Sequence, residues 1–278
     1  MYWIFNLFIF LFGLVVGSFL NCLIYRLKEG KGFFRGRSFC PHCKHVLTWP
    51  DLIPVFSFFV LGRKCRYCQK PISWQYPLVE LATGLLFVLI MNYELISFEN
   101  ILASLFMLLV SCFLIVIFVY DFKYYIIPDQ IIYPAIALTF LYQLFRILPP
   151  PLNKGWATQP IENGLWLNFG PLFNPLLSAL LASAFFLAIV LVSQGRWMGV
   201  GDIKLAFFMG LFLGYPKILV ALFLAFSLGA LIGIILILTG KKTLKAKVPF
   251  APFLVTGTFM ALFWGEKIIN WYLNLIYL

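Results

Sequence analysis

The chain has 278 residues, of which 63% are hydrophobic, 19% aromatic and only 11% charged, with a formal net charge of +11. A soluble globular domain carries about 25% charged residues, so this composition excludes one and defines a polytopic membrane protein. The positive charge, which in a soluble protein would suggest nucleic acid, is accounted for by topology and anionic lipid headgroups.

Apolar runs suited to crossing about 30 Å of hydrocarbon are read at 3–25, 77–91, 101–120, 131–148, 176–192, 203–214, 218–238 and from 250 to 264 or beyond. The sequence therefore predicts an all-α fold of about eight transmembrane helices. No basic stretch precedes the first run, no small-residue cleavage pattern ends it, and Tyr25 and Arg26 follow it. It is expected to be a retained span and not a secretory signal.

Residues 26–76 interrupt the membrane core with a soluble insertion rich in Cys, Gly, Pro and Arg, too short for a sizeable core and in need of a staple. It holds ten basic residues (Arg26, Lys28, Lys31, Arg35, Arg37, Lys44, Arg63, Lys64, Arg66, Lys70) against Glu29 and Asp51, which predicts a cytoplasmic location. Alternation from there puts 17 of the 21 Lys and Arg on the same side, leaving Arg146, Lys154, Lys217 and Lys267 opposite. Both termini are then extracytoplasmic. The expected organisation is a first helix over 1–25, a cytoplasmic zinc-binding insertion over 26–76 and a membrane core over 77–278.

Within the insertion, Cys40-Pro41-His42-Cys43 and Cys65-Arg66-Tyr67-Cys68 are separated by 21 residues. Each pair can turn two thiolates toward one ion, and two pairs complete a tetrahedral four-cysteine zinc site. Four cysteine ligands leave no open position, so the zinc is expected to be structural. Cytosolic placement disfavours disulfides, and metal binding contributes folding free energy to a loop this small. His42 and His45 are read as exposed loop histidines, and Cys22 and Cys112, inside spans, as small packing residues.

Only ten acidic residues exist, and two of them terminate or open apolar runs. Asp121 closes Ile115-Val116-Ile117-Phe118-Val119-Tyr120, and Asp202 follows Gly199-Val200-Gly201. A carboxylate beside hydrocarbon costs roughly 2.5 to 3.5 kcal/mol on insertion scales, so each marks a functional site. The glycines at 199 and 201 give permissive torsions and let another chain approach closely. Asp129 follows the helix-breaking Pro128 and precedes Gln130-Ile131-Ile132, the signature of an N-cap, with a direct part in the chemistry as the alternative. Two carboxylates about 3 Å apart hold one proton between them. The ionised member takes a proton from water while the protonated one donates to the scissile carbonyl, which is aspartyl peptide hydrolysis. The remaining long connection, 149–175, with Trp156 and Trp166, is read as an extracytoplasmic interfacial loop.

Several stretches, in order, resemble the bacterial type IV prepilin peptidases (prepilin leader peptidase and N-methyltransferase), which are GxGD-type membrane aspartyl proteases. Gly17-Ser18-Phe19-Leu20-Asn21-Cys22-Leu23-Ile24-Tyr25-Arg26-Leu27 resembles the first-span signature. The two CxxC pairs and Pro71-Ile72-Ser73-Trp74-Gln75-Tyr76-Pro77-Leu78-Val79-Glu80-Leu81 resemble the cytoplasmic loop and the start of the second span. Met198-Gly199-Val200-Gly201-Asp202-Ile203-Lys204-Leu205 resembles the GxGD motif, and Val248-Pro249-Phe250-Ala251-Pro252-Phe253 an IPFxPF-like stretch with alanine where glycine is common.

The resemblance implies an inner-membrane enzyme that removes a short basic leader from prepilins or pseudopilins, usually after glycine, at the cytoplasmic face. It also implies methylation of the new N-terminus with S-adenosylmethionine as donor. By matching motif, Asp121 and Asp202 are the catalytic pair, Gly199, Gly201 and Lys204 their supporting positions, and Cys40, Cys43, Cys65 and Cys68 the zinc ligands. Glu80, just inside the second span, is a candidate contact for the donor or the nascent amine; its alternative is a buried carboxylate paired with a neighbouring Arg or Lys. The donor site itself is not legible, because no Gly-rich nucleotide loop follows a strand. Rival readings are a GxGD peptidase without methyltransferase activity, of the preflagellin type, an ion-coupled transporter, and a non-catalytic zinc-bearing assembly protein. A transporter normally shows internal repeats and broken helices at the midplane, whereas no repeat is visible and the aspartates sit at span ends.

Overall fold

The computed structural model of the chain describes residues 2–30, 37–93, 101–146, 172–240 and 248–276. Among these, the regular elements are helical: α1 (Tyr2–Lys28), α2 (Phe56–Val60), α3 (Gln75–Tyr93), α4 (Ile101–Tyr124), α5 (Asp129–Phe145), α6 (Phe173–Ser193), α7 (Val200–Leu213), α8 (Lys217–Leu238) and α9 (Ala251–Ile276), with a short 3-10 turn at Trp49–Leu52. Each expected span coincides with a helix. Five of them, α1, α3, α4, α6 and α8, are long and apolar enough to cross a membrane. The 17 residues of α5 and 14 of α7 reach only about 25 and 21 Å at 1.5 Å per residue. The 149–175 connection, with Trp156 and Trp166, lies almost wholly outside the described residues.

The chain forms two compact units, 1–116 and 117–278, with the boundary inside α4. In the first, α1 packs on α3 through Gly13 and Gly17, a small-xxx-small pair on one face of α1. A Cβ on Gly13 would stand 2.7 Å from the Gly84 Cα, and one on Gly17 2.7 Å from the Glu80 Cα. Lipid is as apolar as any side chain, so close backbone approach and dispersion, not water exclusion, hold such a pair. Asn21, only 2% exposed, donates from Nδ2 to the Tyr76 carbonyl (3.1 Å) and accepts from Gln75 Nε2 (3.1 Å). The end of α1 is thereby tied to the start of α3, closing the base of the insertion.

The insertion is two copies of one tight turn. Cys40 N–H donates to the His45 carbonyl and Cys65 N–H to the Lys70 carbonyl, both at 2.9 Å. Lys44 (φ 59°) and Gln69 (φ 56°) occupy the same left-handed position four residues after the first cysteine of each knuckle. Asp51 joins the halves: it accepts from the Thr48 hydroxyl (2.8 Å) and N–H (3.2 Å) beside it and from Arg66 Nε (2.8 Å) inside the second knuckle.

In the second unit, α6 meets α7 where Gly210 lies against Ala179, a Cβ at Gly210 standing 2.5 Å from the Ala179 Cα, and α9 meets α8 where Gly257 lies against the Ala221 carbonyl. Phe186, Leu205, Phe208, Met209 and Leu254 are wholly buried and form the core around which these helices close.

Candidate active site and metal centre

The four cysteines of the insertion converge: their Sγ atoms all lie within 4.8 Å of one another. Cys40 Sγ and Cys68 Sγ are 3.9 Å apart, against about 3.8 Å for two thiolates on a tetrahedral zinc with bonds near 2.3 Å. The donor set therefore fits a metal ion. Burial pushes the Cys40 thiol up, but hydrogen bonds from the backbone N–H groups of Cys43 and His42, with the Cys65 and Cys43 thiols, hold it down to about 7. At Cys68 the Lys70 N–H acts to lower the value, and burial with the three other thiols pushes it up to about 11. One thiolate forms readily, and a cation is needed before all four can lose their protons. His42 and His45 are exposed, and the His45 ring lies against Tyr67, tilted by 33° with 3.7 Å between centroids, joining the first knuckle to the second.

Asp121 and Asp202 both belong to the second unit and are 6% and 9% exposed. Asp121 sits in the last turn of α4. Its Oδ2 accepts the backbone N–H of Ala251 at 3.2 Å. Asp202 is the third residue of α7, and its Oδ2 reaches back to the N–H of Gly199 at 3.2 Å, the carboxylate half of a capping box. The charge of Asp121 acts on Asp202. Gly201 has a packing reason as well as a torsional one, since a Cβ there would stand 3.1 Å from the Ile127 Cβ in the α4–α5 connection. At Gly199, by contrast, an added Cβ would make only ordinary contact, 3.9 Å from the Asp202 Oδ2.

Asp129 corrects the expectation of an N-cap. Pro128 occupies that position, and Asp129 is the first residue of α5 with no cap hydrogen bond at the helix start. Its carboxylate, 61% exposed, instead accepts from Lys204 Nζ at 2.6 Å. Lys204 Nζ also lies 4.9 Å from the centroid of the Tyr133 ring. This lysine, two residues beyond Asp202, thus ties α7 to α5.

Glu80 is 6% exposed, and it accepts hydrogen bonds from the Val55 N–H at 2.7 Å and from the Ser18 hydroxyl. The interaction with Val55 escapes sequence reasoning because it is made to the main chain of a β-branched residue at φ 60°, ψ −50°. The Ala251 amide escapes for the same reason. Asp51 had a visible signal, an acid in a strongly basic loop.

A polytopic helical membrane protein with a buried carboxylate pair at helix ends and a four-thiol insertion is a narrow class. Residues 11–93 match the bacterial peptidase A24 N-terminal domain, and residues 108–234 match the type IV leader peptidase family. The chain belongs to the prepilin leader peptidase/N-methyltransferase family. It is 31% identical to the prepilin leader peptidase/N-methyltransferase of Aeromonas hydrophila over 98% of this chain and 95% of that one. Identity to the protein of the same name from Bacillus subtilis (strain 168) is 32%, covering 96% and 97%, and to that of Legionella pneumophila 30%, covering 98% and 96%. No solved structure matches. The four cysteines and Glu80 fall in the first matched segment, and Asp121 and Asp202 in the second.

Proposed function

We propose that this protein is a membrane aspartyl endopeptidase that cleaves the basic leader from type IV prepilins or pseudopilins and then methylates the new N-terminus. The observation that carries the reading is the pair Asp121 and Asp202, both buried and each held by a backbone amide, with the charge of Asp121 acting on Asp202. One proton is shared between them. The ionised carboxylate takes a proton from water as the oxygen attacks the scissile carbonyl carbon, and the protonated one donates to the carbonyl oxygen. Collapse breaks the C–N bond and the leaving amine takes up a proton. Gly199 and Gly201 form the helix start that presents Asp202, and Lys204 supports it by holding α7 to Asp129 of α5.

Cleavage after glycine is what the resemblance to the family implies, and placement of the site at the cytoplasmic face, with both termini extracytoplasmic, is supported by the distribution of Lys and Arg. Cys40, Cys43, Cys65 and Cys68 hold a structural zinc ion, which when bound supplies folding free energy to the insertion of residues 26–76.

For the second activity S-adenosylmethionine is the donor, and Glu80 is the residue proposed to serve methyl transfer. A nascent N-terminal ammonium must lose a proton before it attacks, and a buried carboxylate can take it. Cleavage needs only water and a peptide bond, so it precedes methylation and is independent of the donor. The test is mass spectrometry of a prepilin incubated with the protein, with and without S-adenosylmethionine. Cleaved product in both, methylated only with the donor, is expected. Methylated but uncleaved prepilin overturns the order, and cleavage without any methylation favours the preflagellin-type alternative.

A further inference from the structure

Asp121 lies in the last turn of α4, where unpaired carbonyls put partial negative charge at the helix end. A carboxylate placed there needs an opposing donor, and it comes from 130 residues downstream, the Ala251 N–H at 3.2 Å from Oδ2. Ala251 is the first residue of α9 and is wholly buried. Its N–H is one of those that a helix start leaves without an intrahelical partner. Ring packing fixes the residue before it: the Phe250 centroid lies 5.1 Å from that of Phe226 on α8, 6.2 Å from Phe186 on α6 and 6.2 Å from Phe253. Alanine suffices at 251 because the contact is made by the main chain.

We infer that residues 248–253 are a positioning element for the carboxylate pair: the Phe250 ring, seated on Phe186 and Phe226, fixes the Ala251 amide, and that amide fixes Asp121 through Oδ2, leaving Oδ1 to exchange the proton. Phe250 and Ala251 act through Asp121 and not on the substrate. The segment lies beyond the residues matched to the type IV leader peptidase family, which end at 234.

The inference rests on the peptidase reading, and the experiment separates the two. In the full-length protein in membranes, Phe250→Ala removes the seated ring, and Phe250→Met refills most of its volume. Loss of one hydrogen bond to a charged group lowers kcat for prepilin cleavage roughly tenfold to hundredfold. KM stays within about twofold, because the interaction is not made with bound substrate. Phe250→Met recovers most of the rate. A second readout needs no substrate: carbodiimide labelling of Asp121, followed by mass spectrometry, rises in Phe250→Ala and returns toward the wild-type level in Phe250→Met. If Phe250→Ala does not fold, Ala251→Pro decides the matter, since proline is tolerated at the first position of a helix and deletes the donor while leaving the rings in place. A raised KM with unchanged kcat, or unchanged kcat and labelling, overturns the positioning role. Wild-type protein that leaves prepilin intact sinks the peptidase reading, and the labelling comparison then decides positioning alone.

Discussion

Glu80 can be tested for chemistry only after its structural work is separated out, and Val55 makes that separation possible. Val55 has φ 60° and ψ −50°, and the Phe56 N–H closes a three-residue turn onto the Pro54 carbonyl. Positive-φ γ-turns are rare and strained, and a β-branched residue held there costs of order 1 to 3 kcal/mol. The Val55 N–H donates to Glu80 Oε2 at 2.7 Å, and removing the acceptor from a buried donor costs about 1 to 3 kcal/mol. The two terms are of similar size, so Glu80 approximately offsets the strain of the turn. Glu80→Ala is expected to destabilise the insertion by about 2 kcal/mol, roughly a 30-fold shift toward its open form. Glu80→Gln keeps an acceptor oxygen and shifts it far less. Val55→Gly relieves the strain and restores protection in the Glu80→Ala background, less the roughly 0.5 to 1 kcal/mol that glycine costs in entropy. Limited proteolysis of the detergent-solubilised protein reads the insertion, and prepilin mass spectrometry reads both activities. With fold preserved in Glu80→Gln, methylation is expected to fall more than cleavage. Equal loss of both would assign Glu80 to structure alone, and failure of Val55→Gly to rescue Glu80→Ala would refute the strain argument.

Asp121→Asn and Asp202→Asn are each expected to abolish cleavage with thermal stability retained, because an amide cannot take part in the proton exchange; a wild-type rate in either contradicts the pair. Metal analysis is expected to find one zinc per chain, lost in Cys40→Ser or on chelation, with protease cutting between residues 37 and 74 as the accompanying sign; carefully purified protein without zinc would disprove the metal site. Asp129→Asn is expected to keep most of the cleavage rate, since its exposed ion pair with Lys204 belongs to a class worth about 0 to 1 kcal/mol, and complete loss with the fold intact would bring Asp129 into the reaction. Gly17→Ala puts a Cβ 2.7 Å from the Glu80 Cα, an overpacking worth typically 1 to 3 kcal/mol, and a melting temperature equal to wild type would show that α1 and α3 are not so closely packed.

What was legible in the sequence was whatever depends on side-chain type at a fixed spacing. The span pattern, the two CxxC pairs and the two aspartates at run ends are of this kind, and the helices and the thiol cluster appear where they were expected. Gly13-Leu14-Val15-Val16-Gly17, two small residues four apart on one helix face, is equally readable as a helix-packing motif. The misplacement of Asp129 has a different origin: Pro128 is itself adequate at the N-cap, and Lys204, 75 residues away, offers the carboxylate a partner that local spacing does not reveal. The Ala251 and Val55 amides were not legible at all, since every residue but proline has the same N–H and only the fold decides which one faces a carboxylate.

The way the acids are held divides them into two kinds. Glu80, Asp121 and Asp202 are buried, and each accepts a backbone N–H, from Val55, Ala251 and Gly199. Asp51, Asp129 and Glu266 are ion-paired with Arg66, Lys204 and Lys217, and Asp51, its side chain only 3% exposed, also accepts the Thr48 N–H. A cation at close range in a poorly screened environment would hold a carboxylate ionised, since attraction grows as the dielectric falls. That suits a staple such as Asp51, but it would deny a catalytic pair the single shared proton on which water attack and carbonyl activation both depend. A neutral amide fixes the position of one oxygen and carries no net charge, so in the proposed mechanism it leaves the proton free to move between Asp121 and Asp202. The same reasoning applies to the methyl-transfer role proposed for Glu80, since an amide partner without charge leaves that carboxylate able to receive a proton.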